Sequence, residues 1–183
     1  MKKALKWIGI VVASLAVLLF IAFQVLQSQT KKHSPEDTVE LVSGDAEVSV
    51  FYNRPSKKGR QIFGELVPYN EVWRTGANEA TTFTTNKDLM VDNQTLPAGT
   101  YTVWTIPEED SWAVIFNDKM YSWGVSFGGV ASRDPEADVL KTMVPVEQLN
   151  EVVEMFTMTL EQNPMALTMS WDQTRVSVPL QVK

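Results

Sequence analysis

The stretch EVSVFY, residues 47–52, places Val48, Val50 and Tyr52 on one side of an extended chain. An apolar residue at every second position is typical of a β-strand with one face in the core. The same period returns in TYTVWTI (100–106), WAVIF (112–116), EMFTMTLE (154–161), ALTMSW (166–171) and RVSVPLQV (175–182). These runs are strand-length and rich in β-branched or aromatic residues, so the sequence predicts an all-β domain.

Turn residues separate the strands. They occur in DNQ (92–94), PAG (97–99) and QNP (162–164), among others. Closely spaced strands with such turns predict an antiparallel β-sandwich, either jelly-roll-like or a partly open barrel. Pro179 predicts that the last strand lies at a sheet edge, because proline donates no ladder hydrogen bond. The segment 145–152 is long enough only for one or two helical turns.

The N-terminus predicts a membrane anchor over residues 1–26. The 20 residues from Trp7 to Leu26 carry no charge, and as a helix they span about 30 Å, the thickness of the hydrocarbon core. A cleaved signal peptide is the alternative, but its apolar region is shorter and ends in a small-x-small site that is missing after Phe23. We therefore expect a single transmembrane helix that is retained as a signal-anchor, with residues 7–26 in the membrane.

Charge predicts the orientation and excludes one class of partner. Lysines 2, 3 and 6 precede the apolar stretch and only lysines 31 and 32 follow it closely, which favours a cytoplasmic N-terminus and a domain facing the periplasm or cell exterior. Residues 27–37 are expected to form a polar tether and 38–183 the extracytoplasmic domain. Five of the 16 basic residues precede Ser34, so the remaining 11 face all 22 acidic residues, a net charge of −11. A domain this acidic repels nucleic acid.

The residue inventory restricts the chemistry of the domain. His33 is the only histidine and there is no cysteine, which excludes Ser-His-Asp triads, cysteine nucleophiles and histidine-ligated metals within residues 38–183. Asp134, Glu136 and Asp138 could together ligate calcium, but solvated loop acids are the favoured interpretation. No metal and no cofactor is therefore expected. Catalysis by Glu79 with a second carboxylate is the surviving enzymatic alternative, against a structural pairing of Glu79 with an arginine.

A polar segment between residues 52 and 79 holds the candidate site. It combines arginines, lysines and aromatic residues in an otherwise acidic domain, which suits either an anionic or carbohydrate ligand or a structural polar network. Gly76 is expected to adopt a positive φ angle. The candidate residues are Arg54, Lys58, Arg60, Trp73, Arg74, Asn78 and Glu79.

These residues also carry a family resemblance. The segments YNRPSKKGRQIFGELVPYNEVWRTGANEATTF (52–83), LPAGTYTVWTIP (96–107) and WDQTRVSVP (171–179) resemble the bacterial domain-of-unknown-function family 2911. The resemblance extends from about Ser49 to Leu180 and departs mainly between Trp123 and Val139. It implies an all-β domain in exported or membrane-anchored bacterial proteins, and it brings no activity and no catalytic residues.

The sequence thus predicts a membrane-anchored extracytoplasmic β-sandwich that acts as a binding or interaction module. The alternative is a carboxylate-dependent hydrolase acting on sugars or cell-envelope material. The inventory favours a non-enzymatic role but leaves the question of an enzyme open.

Overall fold

The computed structural model describes residues 2–126 and 128–183. They fall into two compact units, one that ends at His33 and one that comprises Ser34–Lys183. Helix α1, Lys2–His33, has 32 residues and is long and apolar enough to cross a membrane. The helix continues through the first part of the expected tether. The second unit begins at Ser34, and its first strand begins at Glu36.

Within the described residues the second unit consists of nine antiparallel strands and one 3₁₀ turn, η1, Pro135–Ala137. Its strands are β1 Glu36–Ser43, β2 Ala46–Asn53, β3 Thr82–Thr85, β4 Leu89–Val91, β5 Gln94–Leu96, β6 Gly99–Pro107, β7 Ser111–Asn117, β8 Asp138–Gln162 and β9 Met165–Val182. The sheet order is β1-β2-β3-β6-β7-β8-β9-β4-β5 and the sheet is not closed. The predicted all-β antiparallel architecture is confirmed.

The long strand β8 joins the two halves of the sheet. Its first part pairs with β7, and from Val146 onward it pairs with β9. Two register shifts, between Gln148 and Val153 and between Val153 and Thr157, interrupt the second ladder. Such irregularities bend a strand, so a single strand can serve both halves.

The edge position predicted from Pro179 is wrong. Strand β9 lies between β8 and β4 in the sheet. Its pairs with β8 end at Val176, and its pairs with β4 begin at Leu180. Pro179 therefore lies between two ladders, at a position where its missing N–H costs no ladder hydrogen bond.

The predicted period-2 faces form the core. Val48, Val50 and Tyr52 are buried, as are most of the predicted alternating apolar residues of β7, β8 and β9, whereas Leu160 and Val182 are partly buried. Trp171 is 1% exposed, which confirms the register expected for ALTMSW. Strands β6 and β7 are buried on both faces. On the face away from the main core, Trp104 packs edge-on against Tyr121 of the loop that follows β7.

Candidate functional site

All seven candidate residues lie in the segment 54–81, here called the signature loop, which connects β2 to β3. The loop contains little regular structure, yet Ile62, Phe63 and Val67 are buried in the main core. A long connection that contributes core residues is packed onto the domain rather than projecting from it. Its polar residues are best understood from their individual contacts.

Arg54 joins β2 to β8 where the sheet is open. Its Nη1 lies 3.2 Å from Asp37 Oδ2, its Nη2 donates to Thr157 Oγ1 at 3.0 Å, and its Nε donates to the carbonyl of Phe156 at 3.3 Å. A half-buried guanidinium with three partners is held in place by charge-assisted hydrogen bonds. Arg54 therefore acts as a cross-link between strands.

Tyr52 lies beside Arg54, in the line of side-chain contacts that joins β1 and β2 to β8 and is here called the seam. Its hydroxyl accepts from the backbone N–H of Met158 at 3.0 Å, and its ring meets Phe156 edge-on. Burial raises the pKa of Tyr52, so the phenol stays neutral. Side chains thus satisfy backbone groups of β8 that a closed barrel would satisfy with a neighbouring strand.

Trp73 belongs to an aromatic cluster under the loop. It stacks on Trp171 at a centroid distance of 6.0 Å and an angle of 19°, and it meets Phe63, Trp112 and Phe156 edge-on. Its indole N–H donates to the carbonyl of Gly76 at 3.1 Å. Aromatic neighbours and this bond fix the ring as an anchor of the loop.

The backbone after Trp73 makes a tight crossing over β2. Thr75 is fully buried at φ 57°, a region that β-branched residues rarely adopt. The Thr81 hydroxyl donates a hydrogen bond of 2.7 Å to the carbonyl of Thr75. Gly76 has φ 150°, and a Cβ there would lie 3.0 Å from the carbonyl oxygen of Asn53. The expected positive φ of Gly76 is present, and close approach of two backbones also requires glycine.

A chain of amides and a carboxylate lies beside this crossing. The Asn78 side-chain amide donates to Asn53 Oδ1 at 3.2 Å and to the carbonyl of Ser34 at 3.1 Å. Asn53 donates in turn to Glu79 Oε2 at 3.1 Å. Asn53 and Asn78 are buried, so these bonds hold the end of β2, the loop and the first residue of the domain together.

Arg74 connects the signature loop to the loop after β7. Its Nη1 donates to the carbonyl of Trp123 at 3.1 Å. Its aliphatic stem packs against Gly124, where an added Cβ would lie only 3.2 Å from the Cβ and Cδ atoms of Arg74. Burial lowers the pKa of Arg74, and the negative charge of Glu79 opposes that shift. Glu79 therefore supplies negative charge to a half-buried guanidinium.

Lys58 and Arg60 occupy the exposed part of the signature loop. The Arg60 guanidinium donates through Nε to the carbonyl of Lys57 at 3.0 Å and through Nη2 to that of Ser56 at 2.5 Å. The backbone N–H of Lys58 donates to Glu154 Oε1 at 2.8 Å. Lys58 and Arg60 are both exposed, and the bond to Glu154 attaches their loop to β8.

An aromatic and an amide side chain follow in the same loop. A Cβ built on Gly64 would lie 3.0 Å from Tyr69 Cε2 and 3.7 Å from Gln61 Nε2, so both side chains flank this glycine. Burial raises the pKa of Tyr69, with Glu109 adding to the shift. The ring is half-buried and neutral, and so presents a phenol face and a hydroxyl.

The structure thus places the candidates in four environments. Arg54 lies in the seam and Trp73 in the aromatic cluster. Arg74, Asn78 and Glu79 belong to the buried crossing, whereas Lys58 and Arg60 lie on the surface. Sequence reasoning did not identify the partners Asp37, Asn53 and Thr157, because they are 17, 26 and 103 residues away from the groups they contact.

Two of the three acids considered for calcium, Asp134 and Asp138, form ion pairs. Lys119 Nζ lies 3.0 Å from Asp134 Oδ2, and Arg133 Nη1 lies 2.6 Å from Asp138 Oδ2. Asn117 also donates to Asp138 at 2.8 Å. Among residues 2–126 and 128–183, no three acidic or histidine side chains form a group that could hold a metal ion.

Comparison with known proteins places the chain in a family. The profile described as "Protein of unknown function (DUF2911)" matches residues 34–180, almost the entire second unit. Neither the curated proteins nor the solved structures contain a match. The chain therefore belongs to the DUF2911 family, as the residues of the signature loop indicated.

Proposed function

We propose that this protein is a membrane-anchored extracytoplasmic binding module, and that the exposed part of its signature loop contacts an anionic or carbohydrate ligand. The contact residues are Lys58, Arg60 and Tyr69. The observation that carries the proposal is the anchoring of Arg60. Two backbone carbonyls of its own loop hold the guanidinium in place, which reduces the entropy lost on binding.

The electrostatics restrict the class of ligand. Exposed ion pairs contribute only about 0–1 kcal/mol each, so two surface cations do not hold a small anion tightly. An extended ligand gains from several weak contacts along its length. The domain has a net charge of −11 by sequence, and it repels polymers of high charge density. A glycan with sparse acidic groups, whose neutral sugars contact Tyr69, satisfies both conditions.

The contacts of Glu79 favour the binding module over the hydrolase alternative. A general acid or base needs a proton-transferring oxygen directed to a substrate. The Glu79 carboxylate accepts from the buried Asn53 and interacts electrostatically with Arg74. These contacts support a structural role for its charge.

The orientation can be tested with single cysteines, because the chain has none of its own. Asn93→Cys lies in the exposed turn between β4 and β5, and Lys3→Cys precedes the apolar stretch. We expect a membrane-impermeant maleimide to label Asn93→Cys in intact spheroplasts and Lys3→Cys only after permeabilisation. The reverse pattern would contradict the extracytoplasmic assignment.

Ligand binding can be tested with the full chain in detergent. Immobilised, highly methyl-esterified pectin supplies sparse uronic acids among neutral sugar units, and dextran supplies neutral sugar alone. We expect the esterified pectin to retain the protein and the double variant Lys58→Ala/Arg60→Ala to bind roughly 10-fold more weakly, from the loss of two charge contacts. The matched control Lys141→Ala/Lys183→Ala also removes two lysines, one from β8 and the other the last residue of the chain. Equal losses in the two double variants, or retention equal to that on dextran, would overturn the proposal.

A further inference from the structure

The outer edge of β1 has backbone groups that do not face β2. The carbonyl of Pro35 accepts a hydrogen bond from the backbone N–H of Arg54 at 2.8 Å, which extends the β1–β2 ladder by one pair beyond Glu36 and Asn53. The N–H of Thr38 donates instead to the carboxylate of Asp37 at 2.9 Å. Because alternate residues of a strand direct their backbone groups to the same side, the N–H groups of Glu40 and Val42 also face away from β2.

The two ends of this edge differ. At the Asp37 end, the seam formed with Arg54 and Thr157 connects β1 to β8. At the Gly44 end, Val42 is 62% exposed. A strand edge with exposed apolar side chains is a template for adding another strand, and proteins that avoid this cover or charge the edge. The half of β1 from Glu40 to Ser43 is the uncovered half.

A groove of about 210 Å³ follows this half of the edge. It is lined by Glu40, Leu41, Val42, Glu47, Val48, Ser49, Thr84 and Asn86. Glu40 pairs with Ser49 and Val42 pairs with Glu47, so the two glutamates are diagonal neighbours on one face of the sheet. The exposed side chain of Val42 lies on the same face, directly opposite Glu47. Neither glutamate forms an ion pair within the part of the chain that the structure describes.

We propose that the β1 edge binds an extended segment of a partner protein that carries a lysine or arginine. The partner backbone pairs with the outward groups of Glu40 and Val42, as in strand addition. The stem of the basic side chain lies over Val42, and its charged end reaches the carboxylates of Glu40 and Glu47. Charge complementarity selects this occupant, since an acidic segment would be repelled and a second copy would oppose Glu40 with Glu40.

The test uses the full chain in detergent and a fluorescein-labelled peptide of about eight residues, the length of an ordinary strand. The peptide alternates threonine and valine around a central lysine, and the control peptide has glutamate at that position. Fluorescence anisotropy measures binding. We expect the lysine peptide to bind and the glutamate peptide to bind at least about 10-fold more weakly.

Variants separate strand addition from general attraction to an acidic protein. Val42→Pro removes one outward N–H without removing a hydrogen bond to β2, and Val42→Thr keeps that N–H. Glu40→Gln/Glu47→Gln removes the two carboxylates, and Glu65→Gln/Glu71→Gln is matched in charge at exposed sites of the signature loop. We expect Val42→Pro and Glu40→Gln/Glu47→Gln each to weaken binding about 10-fold or more, with the two controls unchanged.

The proposal has clear opposing outcomes. Absence of binding by the lysine peptide would overturn it. Equal weakening by the two glutamate pairs would show non-specific attraction, and binding unaffected by Val42→Pro would exclude pairing at the edge. Hydrogen exchange provides an independent measurement that does not depend on any variant: the bound peptide should slow exchange of amides 40–43. Exchange that stays unchanged in this segment while the peptide is bound would also overturn it.

Discussion

The signature loop and the loop after β7, described over residues 118–126 and 128–134, both contact the strands, but they are held in different ways. The signature loop is held by buried contacts, including the Trp73 cluster and the amides of Asn53 and Asn78. The loop after β7 is anchored by Tyr121, whereas Met120 is 51% and Val130 is 68% exposed. Its ion pair between Lys119 and Asp134 lies on the surface.

This difference determines what substitutions should cost. Breaking a buried hydrogen bond leaves a polar group without water, at about 1–3 kcal/mol, whereas an exposed ion pair is worth about 0–1 kcal/mol. The signature loop should therefore resist opening, and the loop after β7 should tolerate change. Substitutions at buried and exposed contacts of the two loops test this contrast, and the largest effect is expected at Trp171.

Trp171→Ala should lower the free energy of unfolding by about 3–5 kcal/mol, because it removes a fully buried indole and the ring on which Trp73 stacks. Trp171 lies in β9 and packs against Trp73 of the signature loop, whereas Met120→Ala is an apolar truncation in the loop after β7, for which we expect a change within about 0.5 kcal/mol. Chemical denaturation followed by circular dichroism measures both. Similar values for the two variants would remove the contrast between the loops.

Asn78→Ala should cost about 1–3 kcal/mol, because Asn53 Oδ1 loses its donor inside the domain. Asn78 also adopts φ 54°, a conformation that glycine accepts without strain. Asn78→Gly should therefore be less destabilising than Asn78→Ala, although both remove the same hydrogen bonds. Equal destabilisation in denaturant titrations would show that backbone strain contributes nothing at this position.

Arg74→Met and Glu79→Gln should each cost about 1–2 kcal/mol, because each leaves a half-buried group without a favourable interaction. The double variant should cost less than the sum, with a coupling of about 0.5–1.5 kcal/mol, since the two charges interact. A double-mutant cycle by denaturation measures the coupling. Additive and near-neutral variants would instead indicate two groups open to solvent, and would make the crossing a candidate ligand pocket.

The strands could be predicted from sequence because their information is local. Alternation in EVSVFY or ALTMSW reports burial of one face, whichever strands lie beside it. Sheet order is not local, and the edge position inferred from Pro179 failed because β4, the second partner of β9, is 89 to 93 residues away in the paired register, from Leu180↔Val91 to Val182↔Leu89. The segment 145–152 has the length of one or two helical turns, but it lies within β8, whose second ladder shifts register near Gln148.

The candidate site was identified by its residues but not by its arrangement. The composition of the signature loop indicated a polar network or a pocket, and the contacts of Arg54, Asn78 and Glu79 form a polar network. Whether a cation lies in a seam, as Arg54 does, or on the surface, as Arg60 does, depends on strands far along the chain. Gly76 was the exception, because a tight turn imposes its conformation locally.

The smallest effect concerns the exposed pair of Lys119 and Asp134. The hydrogen bond from Lys119 lowers the pKa of Asp134, with a further contribution from the backbone N–H of Glu136. A carboxyl whose pKa is lowered by folding stabilises the folded state fully above its unfolded pKa, near 3.9, and loses that contribution as the pH falls through the lower folded value. The stability difference between the wild type and Asp134→Asn should therefore be constant from neutral pH to about 5 and should shrink below about 4.

Thermal unfolding of the two proteins at matched pH values measures this difference. Both groups are on the surface, so the difference should be small at neutral pH and should decrease further at high salt, which screens exposed charges. Asp45→Asn, which removes the exposed partner of Lys87, should follow the same pH course, since its pKa is lowered by the same kind of contact. A difference that grew on acidification would mean that Asp134 is protonated more readily in the folded state. That result would contradict the assignment of the Lys119–Asp134 pair as a surface ion pair, and it would weaken the contrast between a loop held by buried contacts and a loop held by surface contacts.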